Sequence, residues 1–95
     1  MASASILKLN LNQIIMRVEK LTGVKMPEEV IEVSLEPSTS LLCIRFKKPS
    51  EAELGEPIHP QIHLYRDKDT EEITALEIIS PEEFSRKVSN VFKVI

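Results

Sequence analysis

His59 and His63 stand four residues apart, the spacing at which a helix would aim two imidazoles at one metal ion. Pro60 lies between them, and an alternating strand pattern starts just after it. On a strand, four residues span roughly 13 Å, too far for a single ion held at about 2 Å from each ligand. A metal at this pair would need a chelating turn and a third ligand. Downstream, Asp67, Asp69, Glu71 and Glu72 resemble the start of a calcium loop, but the glycine and the distal bidentate glutamate of such a loop are absent. The expectation is a polar turn between two strands. His59, His63 and the acidic 67–72 turn together define the alternative function, a small metal-dependent protein or enzyme.

Other reactive side chains are isolated from partners. Cys43 sits between Leu42 and Ile44, so a buried structural thiol is expected in place of a nucleophile with a lowered pKa and a neighbouring base. Glu51, Glu53 and Glu56 lie in a proline-bearing stretch with no nucleophile beside them, which reads as a solvated loop and not as acid–base machinery. Only Gly23 and Gly55 are present, so no glycine-rich phosphate loop exists. Basic residues are scattered, with Lys47 and Lys48 the densest pair, and no aromatics interleave with them. Nucleic-acid binding is not expected. No catalytic, cofactor-binding or metal-binding residue is therefore assigned, and the chain reads as a non-enzyme.

The elements that would hold these residues run from Val30 to Ile79. Ile31, Val33 and Leu35 alternate with Glu32, Ser34 and Glu36, the period of a strand with one wet face. Pro37 to Ser40 is a turn signal, and Leu41 to Lys47 returns with Leu42, Ile44 and Phe46 on one face. Residues 48–60 carry Pro49, Pro57 and Pro60, so they read as a loop or ragged edge. Alternation resumes over Gln61 to Arg66 and again over Ile73 to Ile79. Two hairpins result.

The order of these strands carries a resemblance. Ser40-Leu-Leu-Cys-Ile-Arg-Phe46, a variable loop, Ile62-His-Leu-Tyr65, a short acidic turn and Ile73-Thr-Ala-Leu-Glu-Ile-Ile79 resemble domain-of-unknown-function family 2283, a group of small prokaryotic proteins. Leu76-Glu77-Ile78-Ile79 is the best-matching segment. Ser40, Cys43 and Ala75 stand where that family favours Asp, Tyr and Gly, and the turn after Tyr65 lacks its usual glycine. The resemblance covers residues 40–79 and rests mostly on strand periodicity. It implies a small antiparallel sheet. The family has no agreed activity, and its members are suspected antitoxin-like partners of small RNA-cleaving toxins.

Ninety-five residues make one domain, 1–95. Hydrophobic content of 42% excludes wholesale disorder, and with three Phe, one Tyr and no Trp the core must be built from Ile, Leu and Val. A formal net charge of −3 gives no reason to seek phosphate or an anionic membrane. A single cysteine suits a reducing compartment. No apolar run approaches the roughly 20 residues of a membrane span, and no signal peptide is recognisable. The expected location is the cytoplasm.

Ahead of the sheet, residues 6–11 fit two patterns. Leu7, Leu9 and Leu11 alternate as in a strand, but Leu7, Leu11, Ile14, Val18 and Leu21 form a longer helical stripe. A helix from about Ser5 or Asn10 to Thr22 is favoured, with Gly23 as its C-terminal cap. Ser80-Pro-Glu-Glu83 signals a second helix running to about Lys93, Ser80 capping it and Phe84, Val88, Val91, Phe92 and Ile95 forming its apolar stripe. The expected fold is α+β, a small antiparallel four-stranded sheet of two hairpins flanked by an N-terminal and a C-terminal helix. Apolar residues on more than one face of the first helix, and an open sheet edge, suggest a homodimer. The acidic balance suggests a small basic protein partner, met by Glu32, Glu36 and the Glu51–Glu56 loop. The expected function is a non-enzymatic protein-interaction module with antitoxin-like binding.

Overall fold

The computed structural model describes residues 2–81, and the side chains of residues 11–81. The chain divides into two compact units, one holding the helix α1 (Ala2–Thr22) and the other running from Met26 to Ser80.

In α1 the buried positions are Ile14 and Val18, four residues apart on one stripe. Leu21, expected on the same stripe, is exposed, as is Met16. The helix stops where the sequence places a glycine. Gly23 takes φ +73°, and its N–H donates to the Glu19 carbonyl at 2.8 Å. An L-residue avoids that left-handed conformation, and glycine does not. Thr22 completes the end. Its hydroxyl donates to the Val18 carbonyl at 2.7 Å and accepts from the Val24 N–H at 3.2 Å.

The second unit is a five-stranded antiparallel sheet. Its strands are β1 (Glu32–Glu36), β2 (Leu41–Arg45), β3 (Glu53–His59), β4 (Ile62–Asp67) and β5 (Ile73–Ile79), in the spatial order β1-β2-β5-β4-β3. The four-stranded frame between two helices is corrected accordingly: the described residues hold one helix and five strands. The extra strand is β3, an edge strand inside the 48–60 stretch read as a loop or ragged edge. Of the expected C-terminal helix, capped at Ser80 and running to about Lys93, only Ser80, at φ +55°, and Pro81 are described, and the rest lies outside the described residues.

The hydrogen-bond phase of the ladder explains why β3 tolerates its proline. The Ile79 N–H donates to Gln61 O at 2.8 Å, which makes Ile62↔Ile78 a pair without mutual bonds. The next pair, His63↔Glu77, is then the bonded one, so the backbone of His63 is turned toward β5. Pro57 lies opposite His63 on the other side, in an edge strand. Its missing N–H would point to solvent, the one direction in which a strand proline loses no ladder bond.

The core of the sheet is one face. Leu42 and Ile44 of β2, Leu76 and Ile78 of β5, and Ile62 and Leu64 of β4 are fully buried, and the registers align them in two rows. The rows are Leu42, Ile78, Ile62 and Ile44, Leu76, Leu64. The alternation also fixes the register, since a one-residue slip would move all six to the half-buried second face.

Candidate functional site

The same registers assemble the second face of the sheet, and most of the residues that could do chemistry fall on it. Ser34, Cys43, Glu77, His63 and Pro57 form one cross-strand row. Glu32, Arg45, Ala75, Tyr65 and Gly55 form the next.

Glu77 is the centre of the first row. The Tyr65 hydroxyl donates to its Oε1 at 2.7 Å. That bond, with burial and the carboxylate charge behind it, pushes the Tyr65 pKa up to about 12. A phenol so held is a donor and not a base. Gly55 lies under the Tyr65 ring, where a Cβ would come within 2.7 Å of a ring carbon. The glycine read as a loop residue is thus the floor for an aromatic side chain.

Cys43 flanks Glu77 on one side and His63 on the other. Burial, and then the Glu77 charge, push the Cys43 thiol pKa up. This is opposite to the shift a nucleophilic cysteine needs. The two strand spacings between Cys43 and His63 amount to roughly 10 Å, well beyond the reach of proton transfer from thiol to imidazole. A Cys–His pair is present in the row, but Glu77 stands between its members.

At the end of the sheet, Arg45 grips Glu53 with two bonds, Nη1 to Oε1 at 2.8 Å and Nη2 to Oε2 at 3.3 Å. Glu53 Oε1 also accepts from the buried Thr74 hydroxyl at 2.6 Å. The bonds from Arg45, and to a lesser degree that from Thr74, hold the Glu53 carboxyl below its ordinary range. Glu53 is therefore held by an ion pair and a hydroxyl donor together. Glu56 lies 3.5 Å from Arg66 Nε, and Glu51 is exposed.

The acidic turn is built around Asp67. Its buried carboxylate accepts from Ser50 N at 2.8 Å, Ser50 Oγ at 3.1 Å, Asp69 N at 2.8 Å and Thr70 N at 3.2 Å. The Ser50 and Asp69 N–H groups lead in pulling its pKa down to about 2. Four donors occupy the oxygens that a calcium ion would need. Glu72 leaves the turn to pair with Lys47 at 2.6 Å. Glu71 takes φ +65°, the conformation that a glycine would otherwise supply.

The two histidines do not converge. His63 is opposite Pro57, His59 is opposite Ile62, and the register shifts between Pro57 and His59. Ile62 belongs to the core face and His63 to the other, so the pair straddles the sheet. His59 Nδ1 accepts from Gln61 N at 3.2 Å, closing the β3–β4 turn. Among the described residues, no group of three or more His, Cys, Asp or Glu is placed to hold a metal ion. No helix among them is long and apolar enough to cross a membrane.

What the residue-by-residue reading missed is the state of β1. The strand is at an edge of the sheet and every one of its residues is exposed. Ile31 is 49% exposed, Val33 38% and Leu35 42%. Val33 and Leu35 pair with Ile44 and Leu42, so they continue the two core rows outward into solvent. The edge is also open in its backbone. The Ser80 N–H donates to Ser40 O and the Phe46 N–H to Thr74 O, both at 2.8 Å. These bonds set Leu41, Cys43 and Arg45 toward β1, where they meet Glu36, Ser34 and Glu32. The N–H and C=O groups of Val33 and Leu35 consequently face away from the sheet.

Compared with protein-family models, curated proteins and solved structures, the chain matches no family model, no curated protein and no solved structure.

Proposed function

We propose that this chain is a non-enzymatic protein-interaction module that engages a partner through the β1 edge. One observation carries the reading: β1 combines outward-facing backbone groups with an exposed aliphatic row that continues the core. Natural sheets usually blunt such edges with proline, charged side chains, lysine above all, or a bulge, and β1 carries only the two glutamates Glu32 and Glu36. β3 has the proline and the bulge, whereas β1 has neither a proline nor a lysine within it. Strand addition uses both features at once, main-chain bonds for affinity and alternate side chains for selection. The chemistry of the second face supports the same reading, since its thiol and phenol are pushed to raised pKa values and Glu53 is ion-paired with Arg45. The resemblance over residues 40–79 adds the expectation of an antitoxin-like role toward a small basic protein.

The test is paired affinity capture from source-cell lysate with the wild-type chain and Val33→Pro. The Val33 N–H faces outward, so the substitution removes a docking donor without breaking a bond to β2. A protein retained stoichiometrically by the wild type and lost with Val33→Pro supports the reading. Identical retention by both chains, or none, overturns it.

A further inference from the structure

The β1 edge carries a charge bias as well as an apolar row. From Met26 to Ile44 the chain has four glutamates, Glu28, Glu29, Glu32 and Glu36, and no lysine or arginine. Within β1, Glu32 and Glu36 share the face opposite Val33 and Leu35 with Ser34 between them. The cation nearest in register, Arg45 opposite Glu32, already grips Glu53. The edge thus presents two chemistries on alternate sides of one strand, aliphatic on the core face and anionic on the other.

Resting on the interaction reading above, we propose that the occupant of this edge is an extended basic segment of another protein. It adds as a strand, with aliphatic residues on the core-face side and lysine or arginine on the side of Glu32 and Glu36. Its backbone bonds to the outward N–H and C=O groups of Val33 and Leu35. Its aliphatic residues extend the rows Ile44–Val33 and Leu42–Leu35. Its cations stand opposite or diagonal to the two glutamates, where opposite charges stabilise a cross-strand pair and like charges destabilise it.

A second copy of the chain fits the edge less well. A two-fold centred on Ser34 would place Glu32 directly opposite Glu36 of the other copy. A two-fold centred on Val33 matches Ile31 with Leu35 and avoids that clash. It still sets the two acidic segments side by side with no base in either, diagonal distances being about 7–8 Å. Charge therefore selects a basic occupant over self-association.

Two capped synthetic peptides test this, one alternating Val with Lys and one alternating Val with Glu, titrated against the full chain by calorimetry. The expected result is binding of the lysine peptide at least about tenfold tighter than the glutamate peptide. Glu32→Lys combined with Glu36→Lys, both exposed positions, should reverse the preference. Val33→Pro should abolish binding of either peptide, with circular dichroism checking the sheet. Equal binding of both peptides, lost in Val33→Pro, would overturn the basic occupant and leave the interaction reading standing. Lysine-peptide binding unaffected by Val33→Pro would overturn the edge as the site. A wild-type dimer by light scattering that Val33→Pro converts to monomer would assign the edge to a second copy. A monomer that binds neither peptide would overturn the proposal, and a failed lysate capture beside it would overturn the interaction reading as well.

Discussion

Glu77 couples two side chains that the sequence separates by more than twenty residues. Its carboxylate raises the pKa of Tyr65 directly and of Cys43 through its charge. Replacing it should move both. Tyr65 is the only tyrosine and there is no tryptophan, so an ultraviolet titration reads one phenol. Glu77→Gln should bring that titration from about 12 down toward the ordinary value near ~10. Gly55→Val, which drives a side chain into the ring, should do the same by a different route. Cys43 should react slowly with thiol reagents at neutral pH, and faster in Glu77→Gln. Asp67 gives a pH dependence of definite sign. Its folded pKa, about 2, lies below the unfolded value of 3.8. Its stabilising effect is thus fully present above the unfolded value and is lost as pH falls from there through about 2. Acid unfolding followed by circular dichroism should show this, and Asp67→Asn should lower the melting temperature at pH 7 and flatten the acid limb. None of these couplings was legible from spacing. Asp67 stood out only as one acid among four, and what distinguishes it is Ser50, seventeen positions earlier and just ahead of the neighbouring strand β3.

Elements divide between those that local pattern determines and those that a neighbour determines. β1, β2, β4 and β5 follow from alternation, which sorts the side chains of each onto two faces. The turn at Gly23 follows from a single residue type. Gly23→Ala should therefore cost about 1 kcal/mol by chemical denaturation, with no steric contribution, since nothing lies within 4 Å of the added carbon. β3 was not legible. Its glycine serves Tyr65 of another strand, and its proline is tolerated because of the phase set by the bond between Gln61, in the β3–β4 turn, and Ile79 of β5. Both read locally as breakers. The exposure of β1 was equally hidden, because alternation predicts which side chains share a face but not whether that face is covered. Where the face is covered, truncation should be costly. Leu64→Ala and Leu76→Ala, both at fully buried positions, should each destabilise by about 2–5 kcal/mol in urea melts.

At the scale of the whole molecule, modest net charge conceals local bias. The formal charge is −3 over 95 residues, yet the basic residues are excluded from the segment that forms the open edge. Binding of the lysine peptide should accordingly weaken as salt rises from low to physiological strength, over which the Debye length shortens to about 8 Å. A mainly aliphatic docking would be indifferent to that change.

The strand order also has a consequence for synthesis on the ribosome. Among the described residues β5 is the last strand to emerge and yet lies at the centre, between β2 and β4. Until Ile79 has left the exit tunnel, the nascent chain holds two separate hairpins, β1–β2 and β3–β4, each with an inner edge awaiting the same strand. Lone hairpins are marginal in water, so the sheet must close late and in one step. A stalled or clipped chain ending before Ile73 would present several open edges at once, and a chaperone or a protease would meet it before the native core exists.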